Sequence, residues 1–193
     1  MKQFLIILAA CACLLNARAE VETYRIDPVH SSSRFTLRHI LSKFSSSFTK
    51  TTGVISVDRN NLENSSVEAT VEIASISTAE PKRDAHIQSP DFFDASRFPT
   101  ATFKSKSWKK TGEDTFEVKG DLTLKETTKE VVFLVTLNGF APGMKPGSTI
   151  SGWDATTTIK KSEFGLAGPA MLAKVLGDEV TLNISIEAGH SEA

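Results

Sequence analysis

The sequence predicts an all-β fold, either an antiparallel sandwich or a closed barrel of about eight strands. Three observations carry that prediction. Apolar and polar residues alternate strictly in several segments, the signature of a strand with one buried face. Clusters of turn-forming residues separate those segments at short intervals, as hairpins require. Helical periodicity is scarce, and residues 81–95 form the one plausible helical stretch of any length.

The 193-residue chain opens with an export pattern. Met1-Lys2 supplies a short positive end, residues 4–15 form a dominantly apolar run, and Ala17-Arg18-Ala19 offers the small residues that a signal peptidase reads. That run is short of the ~20 residues a permanent membrane helix needs. The expectation is a signal peptide over residues 1–19 and a single domain over residues 20–193. Cleavage leaves 174 residues with a net charge of −3 and removes Cys11 and Cys13, the two cysteines of the chain. A second reading takes Leu8-Ala9-Ala10-Cys11 as a lipoprotein box with a lipid on Cys11. The very short apolar stretch ahead of Cys11 favours soluble export instead. Past residue 20 no apolar run is long enough to span a membrane.

Strands are expected at residues 22–26, 33–39 and 53–57, with a short turn over residues 41–46. Asp58-Arg59-Asn60-Asn61 then makes a turn before Val67-Glu68-Ala69-Thr70-Val71-Glu72-Ile73, which alternates without exception. The helical stretch follows, and a strand over residues 100–107 ends at Lys110-Thr111-Gly112. Phe116, Val118, Gly120, Leu122 and Leu124 alternate with polar residues in the next strand. Further strands cover residues 130–137 and 149–159, divided by the Pro- and Gly-rich residues 141–147. In the second of these, Thr156-Thr157-Thr158-Ile159 is β-branched throughout, which favours extended backbone. A short helical turn is expected near residues 169–176, and Val180, Leu182, Ile184 and Ile186 share one face of the final strand. His190, in the polar tail Gly189-His190-Ser191-Glu192-Ala193, is expected to fray.

Composition narrows the function. With 40% hydrophobic and 23% charged residues, the chain is neither a disordered tail nor a fibre nor a coiled coil. A net charge of −1 and dispersed basic residues argue against nucleic acid as a partner. Lys160-Lys161 reads as an ordinary solvated pair. His39, His86 and Asp84 could be assembled into a metal site, and Ser31, His86 and Asp84 into a hydrolytic triad, yet neither set has a specific spacing. The plainer reading makes the histidines hydrogen-bonding residues at strand ends, with no catalytic residue, metal or cofactor. Residues 83–94 are unusual in placing a charged pair and the adjacent Phe92 and Phe93 inside a β chain. They read as a plug for one barrel end or a lid beside a cavity mouth.

Several of these residues form an ordered set. Tyr24-x-Ile26-Asp27-Pro28-x-His30-Ser31 precedes Phe35 and His39; Thr78 precedes Arg83-Asp84-x-His86-Ile87-x-Ser89-x-x-Phe92-Phe93-Asp94. Pro99-x-x-x-Phe103, Gly120-x-Leu122-Thr123-Leu124 with Lys129, and Ser162-Glu163-Phe164-Gly165 follow before the final strand. Over residues 22–187 this order resembles the YceI family of polyisoprenoid-binding, lipocalin-like periplasmic proteins. Three positions depart from its pattern: Ser46-Ser47-Phe48 where Gly-x-Phe is usual, Glu126 where a glycine is expected, and Lys160-Lys161 where an Asn-Arg pair is common.

The resemblance implies an extended eight-stranded antiparallel lipocalin-like barrel with a short helical insertion. It also implies a periplasmic carrier holding a long-chain amphiphile (polyisoprenoid, isoprenoid quinone or fatty amide) in its bore. Strand parity puts Phe35, Leu37, Ile55, Val57, Ala69, Val71, Phe103, Phe116, Val118, Val135, Leu182 and Ile184 inside. His30, Ser31, His39, Arg83, Asp84, His86 and Trp153 are the candidates for a polar or amphipathic mouth, although Arg83–Asp84 serves equally as a structural pair. Two other functions remain open: a lipid-modifying enzyme using His30, Asp84 and His86, and a stress or partner-binding module with a filled barrel. Barrel exteriors also offer flat faces for a homodimer, although no residue argues specifically for one.

Overall fold

The computed structural model describes residues 21–191, so the expected signal peptide and the lipoprotein box at Cys11 lie outside the described residues. The chain forms β1 (Val21–Ile26), β2 (Ser32–His39), β3 (Ser42–Phe48), β4 (Thr51–Asp58), β5 (Ser66–Glu72) and β6 (Ile76–Ser77). A helix, α1 (Pro81–Gln88), interrupts the strands before β7 (Thr100–Lys110), β8 (Thr115–Leu124), β9 (Thr127–Pro142), β10 (Ser148–Lys160) and β11 (Leu176–Ser191).

One antiparallel sheet runs in the order β1-β4-β5-β7-β8-β9-β10-β11 and closes where Arg25 and Ile26 of β1 meet Gly189 and Ala188 of β11. Of the sandwich and the closed barrel that the strand pattern allows, this is the barrel, with the eight strands that the family resemblance implies. Closure leaves no free edge along the ring. The strands β2, β3 and β6 prolong β1, β4 and β5 beyond it: β2 pairs with the near end of β11, β3 with β2, and β6 with β3. Thus β1 and β2 are one wall strand broken at residues 27–31, and β11 is long enough to pair with both halves. Ser31 stitches the break by donating to the Glu187 carbonyl at 3.2 Å and accepting from the Glu187 amide at 3.1 Å.

Four expectations need correction. Residues 41–46 are not a turn: all but Leu41 belong to a strand. Phe44, Ser46 and Phe48 alternate inward, and the run pairs with β2 as β3 in full register. The helix stops at Gln88 rather than residue 95, because Ser89 precedes Pro90 and takes extended backbone (ψ 170°), which the proline ring enforces. Near residue 170 the helical turn shrinks to three residues, Ala170–Leu172. Finally, His190 is part of β11, where its Nδ1 lies 3.0 Å from the Thr23 carbonyl oxygen and its ring stands 5.3 Å from that of Tyr24. In the β8–β9 hairpin, Lys125 takes the left-handed conformation (φ 55°) beside Glu126.

The barrel interior divides into a packed half and a hollow half. Toward the β1 end, Ile55, Val57, Trp108, Phe116, Val118, Val135, Leu137 and Trp153 form one buried cluster. Trp108 and Trp153 meet edge to face at 5.6 Å, and Phe116 packs on Trp108 at 5.8 Å. Beyond them Arg59 shuts the end: its Nε donates to Glu22 at 2.8 Å and its guanidinium lies 4.0 Å from the centre of the Phe140 ring. The phenol of Tyr24, fully buried here, donates to Glu22 and accepts from Arg59. Burial, and then the bond to Glu22, push its pKa up to about 12.

Candidate ligand-binding cavity

The other half of the barrel holds a cavity of about 550 Å³ that reaches toward the α1 end. Its floor rests on the packed half, where Phe103 meets Phe133 edge to face at 5.0 Å beside Ala155 and Ile26. Phe35, Leu37, Ala69, Val71, Leu182 and Ile184 form the side wall, each projecting inward by strand parity. Toward the mouth come Leu122, Leu124, Ile159, Leu166 and Val180, which belong to a second buried cluster. Midway, the hydroxyls of Ser33 and Thr51 bond to each other at 2.7 Å, so these buried groups satisfy one another.

The insertion after β6 roofs the cavity. Thr78 is clasped by two neighbours: Asp84 accepts from its amide at 2.8 Å, and Arg83 donates to its hydroxyl at 2.9 Å and to its carbonyl at 2.7 Å. Arg83 also reaches the cavity wall, with its guanidinium 4.7 Å from the centre of the Phe44 ring. Phe93 meets Phe48 edge to face at 5.8 Å, and Phe92 stands 5.2 Å from the His86 ring. Across the roof, Phe92 lies directly on Gly168, where a Cβ would come within 2.6 Å of its ring. The insertion therefore docks on the loop after β10, and only a residue without a side chain permits that contact.

The residues expected inside by parity fall into two groups. Phe35, Leu37, Ala69, Val71, Phe103, Leu182 and Ile184 line the cavity; Ile55, Val57, Phe116, Val118 and Val135 sit in the packed half and do not reach it, and Trp153, expected at the mouth, is buried there with them. Among the mouth candidates, His39, Arg83 and His86 are on the cavity wall. His30 and Ser31 lie instead at the break between β1 and β2. There His30 bonds Asp27 at 2.9 Å, and this bond holds its pKa above the ordinary imidazole value. With Glu187, these two place ligating atoms within 4.8 Å of one another, a trio of one exposed and two half-buried residues that could take a cation.

The triad and metal sets do not assemble. Asp84 is committed to Thr78, His86 pairs with Asp91 at 2.8 Å, and Ser31 is tied to Glu187. His30, at the break between β1 and β2, is not on the wall that carries His86. The reading of Lys160-Lys161 as a solvated pair needs correction at Lys161. While Lys160 is exposed, Lys161 is 9% exposed, lines the cavity and donates to the Ala167 carbonyl at 3.0 Å. The departure from the family pattern at that position was the available signal.

The chemistry of the wall is one-sided. Its polar members are hydroxyls, histidines, arginines and lysines, and among the described residues no carboxylate side chain contributes to it. The arrangement defines an antiparallel barrel with an apolar bore and hydrogen-bond donors at one end. Comparison with known proteins agrees. The YceI-like domain matches residues 24–188, and the chain belongs to that family. Curated relatives include a UPF0312 protein of Ectopseudomonas mendocina, 36% identical over 194 residues and covering 97% of each chain. Another, of Pseudomonas syringae pv. tomato, is 35% identical and covers 94% of this chain and 96% of its own. Among solved structures, the Campylobacter jejuni YceI protein superposes with a TM-score of 0.70 at 30% identity, covering 79% of this chain and 88% of its own. A polyisoprenoid binding domain from Saccharophagus degradans shares the fold, with a TM-score of 0.65 at 12% identity over 89% of this chain and 99% of its own. No helix among the described residues is long and apolar enough to cross a membrane.

Proposed function

We propose that this protein is a periplasmic binding and carrier protein for a long-chain amphiphile of the polyisoprenoid, isoprenoid-quinone or fatty-amide kind. The observation that carries the reading is the half-hollow barrel: a packed end that fixes the fold, and an apolar cavity of about 550 Å³ with donors gathered toward its mouth. At about 30 Å³ per methylene-sized group, the share of one water in the liquid, that volume holds roughly 18 such groups. Each buried CH₂ contributes about 0.8 kcal/mol, so the gross gain is on the order of 14 kcal/mol before ordering costs.

The head group would carry acceptor oxygens, as a quinone, an amide carbonyl or a phosphate does. Lys161 has three N–H donors, of which the Ala167 carbonyl takes one. Family membership and the shared fold of the Saccharophagus degradans polyisoprenoid binding domain support the lipid class. The export pattern at the N-terminus supports the compartment. Native mass spectrometry of gently purified mature protein tests the proposal. A bound hydrophobic molecule of discrete mass is expected; protein that is empty and also ignores long-chain quinones and amides would refute it.

A further inference from the structure

The β2–β3 hairpin turns at Ile40-Leu41, since His39 pairs directly with Ser42. Such two-residue turns ordinarily carry glycine and small polar residues. Here Ile40 holds the left-handed conformation (φ 52°), which a β-branched side chain resists. Both side chains also face solvent, Ile40 at 52% and Leu41 at 97% exposed. Strain and apolar exposure at one tip point to a role outside folding.

The tip belongs to the cavity rim. The Ile40 amide donates to the Val175 carbonyl at 2.7 Å, and Val175 and Leu172 both line the cavity. Met171, next to Leu172 on the same loop, is 82% exposed. In the two stretches beside the tip, charge has one sign. Residues 32–48 include Arg34, Arg38 and Lys43, residues 165–177 include Lys174, and neither stretch contains Asp or Glu. The nearest acid in sequence to the second stretch, Asp178, is bonded to the Ser162 amide at 2.9 Å and hydroxyl at 2.7 Å.

We infer that Ile40, Leu41 and Met171 form an apolar tip, collared by Arg38, Lys43 and Lys174, that docks the cavity mouth on an anionic phospholipid surface. Apolar side chains entering the acyl boundary under a ring of cations is the pattern of interfacial membrane binding. Docking in this orientation brings the opening against the bilayer, so a lipid can exchange without crossing water. The inference goes beyond the carrier reading and is tested apart from it, because vesicle docking and cavity occupancy are separate measurements.

The experiment is co-sedimentation of mature protein with vesicles of phosphatidylcholine alone and of phosphatidylcholine with phosphatidylglycerol, at low and high salt. Binding is expected to the anionic vesicles and to weaken as salt is added. The variant Ile40→Gly/Leu41→Asn supplies the residues that the turn prefers. It should therefore melt no lower than the parent, yet bind at least roughly tenfold more weakly. Lys43→Gln/Lys174→Gln should weaken binding roughly 30-fold on the anionic vesicles. Absence of vesicle binding by the parent protein, or equal binding by Ile40→Gly/Leu41→Asn, overturns the inference. So does a concentration-dependent dimer that this variant abolishes, since the tip would then serve a second copy. Ligand occupancy, measured by native mass spectrometry on the same samples, should be unchanged in the tip variant and reports on the carrier reading alone.

Discussion

Replacing Ala155 with phenylalanine tests whether the hollow half is ligand space. Ala155 lies in β10 between Val135 and Ile184, where the packed half ends and the cavity begins. Phenylalanine adds a six-carbon ring, about a third of the roughly 18 methylene-sized groups that 550 Å³ admits. At about 0.8 kcal/mol per buried CH₂ the ring displaces some 5 kcal/mol of gross binding, a loss of roughly three to four orders of magnitude in affinity. Fold stability should change by no more than about 1–2 kcal/mol, because the ring enters a space with apolar walls instead of a filled core. Occupancy by native mass spectrometry, displacement of a fluorescent apolar probe, and urea unfolding measure the three quantities. Destabilisation beyond about 3 kcal/mol with occupancy unchanged would refute the reasoning, since protein atoms would then fill that space in solution.

Three further outcomes are expected. Tyr24 is the single tyrosine of the chain, so ultraviolet absorbance follows its phenol alone. Its pKa in the fold is raised to about 12, so its contribution is complete below about 10, the unfolded value, and is lost as pH climbs from there to about 12. Unfolding free energy should fall over that window, and a phenol titrating near 10 in the folded protein would contradict it. Trp153 donates to the Ser151 hydroxyl at 3.0 Å, whereas the buried Trp108 Nε1 has no partner among the described residues; Trp153→Phe should therefore cost about 1–2 kcal/mol more than Trp108→Phe in urea unfolding. Gly168→Ala forces a side chain toward the Phe92 ring and strains a backbone at φ 76°. It should cost about 1–2 kcal/mol and speed ligand release, and release at the parental rate would show that the roof contact does not gate the cavity.

Much of this architecture is legible in the sequence, because parity is a local property. Strict alternation put Phe35, Val71, Phe103, Phe116 and Ile184 on the inner face, and each is inside. Height along the barrel axis is not local. Whether an inward residue fills the core or lines the cavity depends on how far each strand has slid against its neighbours. That register is fixed by pairings such as Phe103 with Leu122 and Val135 with Phe116, between strands that carry no mark of it. Phe116 and Phe103 thus look alike in sequence and end in different halves. Lys161 was missed for a related reason: the loop that buries it includes Gly168, whose contact with Phe92 is set by the distant insertion. The β3 strand escaped notice because all its polar positions but Lys43 are serines, which read as loop until Phe44 and Phe48 are seen on one face.

Dividing the barrel into a packed end and a hollow end gives the two tasks of the protein to different residues. The tryptophan–phenylalanine cluster can hold the strands closed whatever the wall above it is made of. Changes among Leu37, Val71 or Leu182 would reshape the bore while leaving the closure between β1 and β11 untouched. A lineage built on this plan is free to drift from one cargo to another without passing through an unstable intermediate, and a designer can re-cut the bore on the same terms.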